Sequence, residues 1–300
     1  MATIEILGVP HAYDLTPPPS PSASPVLVFI HGWLLSRQYW QPIIEQLAPH
    51  YQCLSYDLRG FGESVGSQAA ASYPTQASNS ARPSSRYSLA AYAQDLGALL
   101  QKLEINQAWL IGHSLGGSIA LWGADYFSQQ VRGVICLNAG GGIYLKEEFE
   151  RFRAAGQQLV KRRPGWLFRM PLIDLWFTRA MVARPIARHW GRQRVIDFVR
   201  ADAQAALGAL LESTTKAEVH LLPQLVSRLR QPVYFLAGAK DQVMEPKYVN
   251  HLASFHQLFQ ACGNNVIEIP DCGHMSMVEQ SETVASIIRR IVNNHQSSQE

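Results

Sequence analysis

The chain has 300 residues, 47% of them hydrophobic and 16% charged, which suffices for a sizeable core and excludes a disordered protein. No apolar run approaches the ~20 residues that span a bilayer, and a net charge of +3 does not suggest a nucleic-acid partner. Met1–Pro10 lacks the basic and apolar regions of a secretory signal. Four cysteines without C-x-x-C spacing (Cys53, Cys136, Cys262, Cys272) predict reduced thiols in a cytoplasmic protein.

In chain order, Ile4–Val9 and His11–Leu15 predict a short opening hairpin, and the Pro/Ser stretch Thr16–Pro25 predicts a loop. Val26–Ile30 is a continuous β-branched and apolar run, the pattern of a strand buried on both faces. Trp40–Ala48 has helical spacing and stops at Pro49, and Cys53–Tyr56 is a second short strand. Val65–Arg86 is rich in Ala, Ser and Gln, contains Pro74 and Pro83, and predicts a surface loop. Leu89–Leu103 is an amphipathic helix with Ser88 as its N-cap. Ala108–Ile111 then reads as a buried strand, Gly117–Tyr126 as a helix and Val131–Leu137 as a strand.

From Ile143 to about Leu222 the chain is helical and holds no parallel-strand run. It is rich in Arg and in large apolar residues (Trp166, Leu167, Phe168, Met170, Leu172, Trp176, Phe177, Trp190), and most of its Trp and Phe are expected to pack in a core. Lys146–Arg200 carries 13 Lys/Arg against 5 Asp/Glu, a local balance of +8 that leaves −5 for the rest. A solvated face accounts for that asymmetry; it also predicts weak association with an anionic membrane surface, or attraction of an anionic substrate. Val233–Ala237 and Val266–Ile269 complete the strands, and Met275–Val292 closes the chain as a helix. Strands alternating with helices give an α/β fold with a mostly parallel central sheet flanked by helices. Its core spans 1–142 and 223–300, with a helical lid inserted at 143–222.

The chemistry centres on Gly112-His113-Ser114-Leu115-Gly116, placed between a strand and a helix. A Gly-x-Ser-x-Gly in that position is a nucleophile elbow, whose sharp turn lifts the serine Oγ clear of the sheet. The flanking glycines leave room for backbone to pack against a strained turn. A serine hydroxyl needs an adjacent base, and such elbows are followed in chain order by an acid and then a histidine. Asp241, in Gly238-Ala239-Lys240-Asp241, and His274, in Pro270-Asp271-Cys272-Gly273-His274, each stand just past a strand's C-terminal end, where open α/β sheets build their sites. Asp271 is awkwardly placed for orienting His274 only three residues away, and Asn138, after the strand that follows the elbow, carries no charge. Asp241 is therefore the expected acid.

With His31-Gly32-Trp33 after the first central strand and Asp57-Leu58-Arg59-Gly60-Phe61-Gly62-Glu63-Ser64 after the next, these motifs occur in an order that resembles the α/β-hydrolase superfamily from about Pro25 to Val292. The resemblance implies that the N–H groups of Trp33 and Leu115 form an oxyanion hole, worth ~10²–10³ in rate per donor. It also implies that Asp57, Arg59 and Glu63 shape a structural turn. His31 is expected to brace the oxyanion loop and His113 to pack beside the site.

The implied activity is cleavage of a small-molecule carboxylic ester, with an apolar acyl or alcohol group, through an acyl-enzyme and without metal or organic cofactor. Ser114 argues against dehalogenase-like and epoxide-hydrolase-like relatives, which use an Asp nucleophile, and Leu115 departs from the Met usual in cofactor-free perhydrolases. Carbon–carbon bond hydrolases share the triad but often place Asn where His113 stands. Cofactor-independent oxygenases share the His-Gly-Trp turn, and a non-catalytic ligand receptor on this fold is a further alternative.

Overall fold

Val26, Val28 and Ile30 enter one hydrophobic core while Leu27 and Phe29 enter another. Successive side chains of a strand leave opposite faces, so this strand carries a buried layer on each side. The computed structural model describes residues 2–19, 25–65, 85–140, 146–262 and 265–296, without the side chains of 146–149 and 262. Residues 66–84 of the expected surface loop, 20–24 of the expected Pro/Ser loop and 143–145 of the expected lid lie outside the described residues.

Eight strands form one sheet. They are β1 (Ala2–Ile6), β2 (Val9–Leu15), β3 (Val26–Ile30), β4 (Cys53–Tyr56), β5 (Ala108–His113), β6 (Val131–Leu137), β7 (Val233–Gly238) and β8 (Val266–Ile269). Their order is β1-β2-β4-β3-β5-β6-β7-β8. β1 and β2 pair antiparallel, as do β2 and β4, and every other pair is parallel. The opening hairpin turns at Leu7 and Gly8, whose φ values of 48° and 79° suit a two-residue turn matched to strand twist.

Helices cover both faces. α1 (Gln41–Leu47) lies on the Phe29 side and α2 (Leu89–Lys102) and α3 (Leu115–Tyr126) on the Val28 side. The Ser88 hydroxyl accepts the N–H of Ala91 and caps α2. Between β6 and β7 the chain runs through α4 (Lys146–Lys161), a 3₁₀ turn at Leu167–Arg169, α5 (Ile173–Phe177), α6 (Arg188–Arg200), α7 (Ala203–Ser213) and α8 (Lys216–Arg228). α8 continues past Leu222 and belongs to the core, where Trp122 Nε1 of α3 donates to Glu218 at 2.6 Å. α9 (Pro246–Ala253) and α10 (Gln257–Cys262) join β7 to β8. The expected closing helix is two, α11 (Ser276–Glu279) and α12 (Ser281–Gln296), broken at Gln280 where φ is −142° and ψ 52°.

The insertion departs from expectation in its aromatic residues. Trp166, Phe168 and Trp176 are exposed rather than packed in a core, as are Met170 and Leu172, whereas Phe177 and Trp190 are partly buried against it. The five-residue α5 packs against α6, with Phe177 on Phe198. The positive balance is also partly internal. Arg163 donates to Phe198 O and Ala201 O, Arg194 to Phe177 O and Ala180 O, and Arg153 to Leu211 O. Among the described residues Cys53, Cys136 and Cys272 carry free, buried thiols. No helix among them is long and apolar enough to cross a membrane.

Candidate active site

Ser114 joins β5 to α3 with φ 51° and ψ −118°, a backbone conformation that side chains other than glycine's rarely adopt. The turn is held by Ser114 N–H donating to Leu137 O at 2.9 Å and Gly117 N–H donating to Ser114 O at 2.9 Å. A Cβ on Gly112 would stand 2.2 Å from Gly116 O, and one on Gly116 would stand 2.2 Å from Ile30 O. Both glycines are therefore dictated by close backbone approach.

Asp241 and His274 come together from the loops after β7 and β8. His274 Nδ1 donates to Asp241 Oδ2 at 2.8 Å, and both side chains are buried. Asp241 Oδ1 accepts the backbone N–H groups of Val243 at 2.8 Å and Met244 at 3.0 Å. Burial pushes the Asp241 carboxyl up, but the charge and hydrogen bond of His274, with the Met244 N–H and Asn138 amide, outweigh it and hold it below the ordinary carboxylate value.

Ser114 reaches this pair through its neighbour. The His113 ring packs on the His274 ring, centroids 4.8 Å apart, and its Nε2 donates to His274 O at 2.7 Å. Burial pushes His113 down to about 3, with His274 adding to the effect, so the ring stays neutral. Among the described residues no hydrogen bond joins Ser114 Oγ to His274 Nε2; without substrate such contacts are often long and tighten only in the reacting complex.

The two predicted oxyanion positions are Leu115 and Trp33. Leu115 is the first residue of α3, where helix N–H groups have no intrahelical acceptor and the dipole favours negative charge. Trp33 lies in the turn after β3, pressed on the elbow: a Cβ on the preceding Gly32 would stand 2.7 Å from His113 Nδ1. His31 braces this turn as expected. Its Nδ1 donates to Gly32 O at 2.8 Å and its Nε2 accepts Leu58 N–H at 2.9 Å. Burial holds the His31 imidazole below its ordinary value, against the opposing charge of Asp57, which agrees with this neutral pairing. Asp57 and Glu63 bind Arg37, and Arg59 binds Asp95. This is the structural turn expected of them. Asp271 is exposed and pairs with Lys240 and Arg184, away from His274.

Two supporting residues escape sequence reasoning. Asn138, fully buried with φ 47°, donates to Asp241 Oδ2 at 2.9 Å and to Gly273 O at 3.0 Å, so it orients the acid instead of replacing it. Its place after β6 is a readable signal, although its neutrality directs attention elsewhere. Glu279 accepts three backbone N–H groups, from Gly273 at 3.0 Å, Met275 at 3.0 Å and Ala183 at 2.8 Å. It clamps the His274 loop to the insertion, and no local pattern announces it.

Comparison with known proteins bears on the fold. The family model described as alpha/beta hydrolase fold matches residues 25–281. A Serratia proteamaculans protein named 2-succinyl-6-hydroxy-2,4-cyclohexadiene-1-carboxylate synthase is 27% identical over 90% of this chain and 94% of its own length. One of the same name from Yersinia pseudotuberculosis is 31% identical over 81% and 82%. An esterase from Thermogutta terrifontis has a TM-score of 0.72 at 23% identity, covering 98% of this chain and 99% of that one, a likeness of fold.

Proposed function

The chain belongs to the α/β-hydrolase fold family, and from that premise we propose that it is a serine hydrolase cleaving carboxylic esters through an acyl-enzyme. The observation that carries the reading is the buried Asp241–His274 pair beside the strained Ser114 turn. With Nδ1–H given to Asp241, His274 keeps Nε2 unprotonated as the base. His274 takes the Ser114 proton as Oγ attacks the ester carbonyl, and the N–H groups of Trp33 and Leu115 receive the developing oxyanion. The proton then passes from His274 to the departing alcohol. Water, deprotonated by the same ring, attacks the acyl carbon and frees the acid and Ser114. The cycle uses no metal or organic cofactor, and the insertion between β6 and α8 serves as the lid.

The named relatives favour a second reading, that the chain is itself a synthase of the kind they are named for. That product carries two carboxylates, so its site calls for cations. Among the described residues the three buried arginines are occupied: Arg194 by backbone carbonyls, Arg37 by Asp14, Asp57 and Glu63, and Arg59 by Asp95. This supports ester cleavage as the first reading.

The test is a panel of short- and long-chain nitrophenyl esters with wild type and Ser114→Ala, together with fluorophosphonate labelling. Turnover that prefers an apolar acyl chain, and labelling at Ser114, both lost in the variant, support the hydrolase. A folded wild type that neither turns over an ester nor takes the label overturns it. Turnover retained in Ser114→Ala does so equally.

A further inference from the structure

Nine large apolar side chains are exposed among the described residues, and six of them fall within residues 166–181: Trp166, Phe168, Met170, Leu172, Trp176 and Met181. Trp176 and Leu172 are 63% and 61% exposed. Folding alone gives no reason for such a cluster, since exposed apolar groups concentrated in one place mark an interaction surface. Backbone geometry points the same way. Leu172 and Met181 both sit in the left-handed region, with φ 63° and 61°. Each is thus an apolar residue held in a disfavoured conformation with its side chain in water, which costs stability on both counts.

The chemistry of the occupant follows from charge. Residues 161–188 hold seven Lys/Arg and one acid, Asp174, leaving −3 for the rest of a chain whose net charge is +3. Asp174 is neutralised by Arg188. The exposed Arg169 and Arg179 stand among the apolar residues themselves, Arg169 lying over the Phe168 ring at 5.4 Å. Tryptophan, leucine and methionine interleaved with arginine match a bilayer interface, where apolar rings enter the headgroup layer and cations meet anionic lipids.

We propose that residues 166–181 form an interfacial surface that docks the protein on an anionic lipid bilayer. The surface is joined directly to the candidate active site. The carbonyl of Met181, a surface residue, accepts the backbone N–H of His274 at 2.9 Å, and Ala183 N–H is held by Glu279. Docking therefore places the His274 loop at the lipid boundary, where an apolar ester partitioned into the bilayer has the shortest path to it. The lipid-binding claim rests on the surface alone; the delivery claim rests on the ester reading.

The experiment is co-sedimentation of the full chain with vesicles of phosphatidylcholine alone or mixed with phosphatidylglycerol, with tryptophan emission recorded alongside. Binding to the anionic vesicles only, weakened by salt and accompanied by a blue shift, supports the proposal. Arg169→Gln/Arg179→Gln should weaken partitioning about 25-fold, at about fivefold per basic residue. Trp166→Ser/Trp176→Ser should abolish the blue shift with unchanged melting temperature. Equal binding to neutral vesicles, or no binding to either, overturns the proposal. So does a solution dimer that the tryptophan variant dissolves, which assigns the face to a second copy. Ser114→Ala should bind vesicles like wild type, so a failure of ester hydrolysis and a failure of docking are read separately.

Discussion

The indole Nε1 of Trp33 donates to the carbonyl of Ala206 across 2.8 Å, tying the turn that carries the proposed oxyanion donor to helix α7 of the insertion. The same ring lies under α4, where a Cβ on Gly156 would meet it at 3.4 Å. Backbone position at residue 33 and side-chain anchorage in the insertion are thus one constraint. Trp33→Phe keeps the apolar body and removes the anchor. Its kcat on a soluble ester should fall about fivefold with little change in KM, as for a lost hydrogen bond worth about 1 kcal/mol that acts on transition-state placement. Steady-state kinetics separate this from a binding defect, which raises KM instead.

Ser114 holds φ 51° and ψ −118° at a conformational cost that glycine does not incur. Ser114→Gly should therefore abolish turnover and raise stability by about 1 kcal/mol. Thermal unfolding of the two proteins side by side measures this. A glycine variant no more stable than wild type places the strain elsewhere.

Asn138 delivers an amide N–H to the same Asp241 oxygen that receives His274. Asn138→Asp sets a second carboxylate in that contact and raises the protonation of Asp241, now held below its ordinary value. The acid limb of the kcat/KM profile should move up by about one pH unit or more, with activity reduced below it. An unmoved limb in a folded variant would remove Asn138 from the positioning of the acid.

Asp197 of α6 accepts the Ser36 hydroxyl at 2.9 Å, fastening the insertion to the loop beyond β3. Burial pushes its carboxyl up to about 7, against the hydrogen bonds of Ser36 and Gln193. The folded protein binds this proton more tightly than the unfolded chain. Its contribution is therefore full below about pH 4 and is lost as pH rises to about 7. Asp197→Asn should match wild type near pH 4 and exceed it above pH 7, by on the order of 4 kcal/mol. Denaturant titrations across that range supply the comparison.

Ser114, Asp241 and His274 are legible in the chain because each follows an apolar run, and strand ends are where such sheets gather their chemistry. Glu279 is not legible, because its three contacts join Gly273 and Met275 of the His274 loop to Ala183 of the insertion, which only the folded chain brings together. The insertion misleads for a related reason. Trp166 and Trp176 have the size of core residues, and whether they are covered depends on which elements pack above them. Hydrophobic content identifies what seeks burial but not what finds it.

The thiols described with the sheet have a use of their own. Burial pushes Cys53 and Cys272 up to about 12, and Cys136 higher still, so each stays protonated and unreactive while its surroundings are closed. An alkylating reagent then counts openings. Cys53 and Cys136 record separation of the sheet, while Cys272, two residues before His274, records excursions of the His274 loop. With Cys262 replaced by serine, the chain becomes its own clock, timing local breathing of the site against global unraveling without any label being installed.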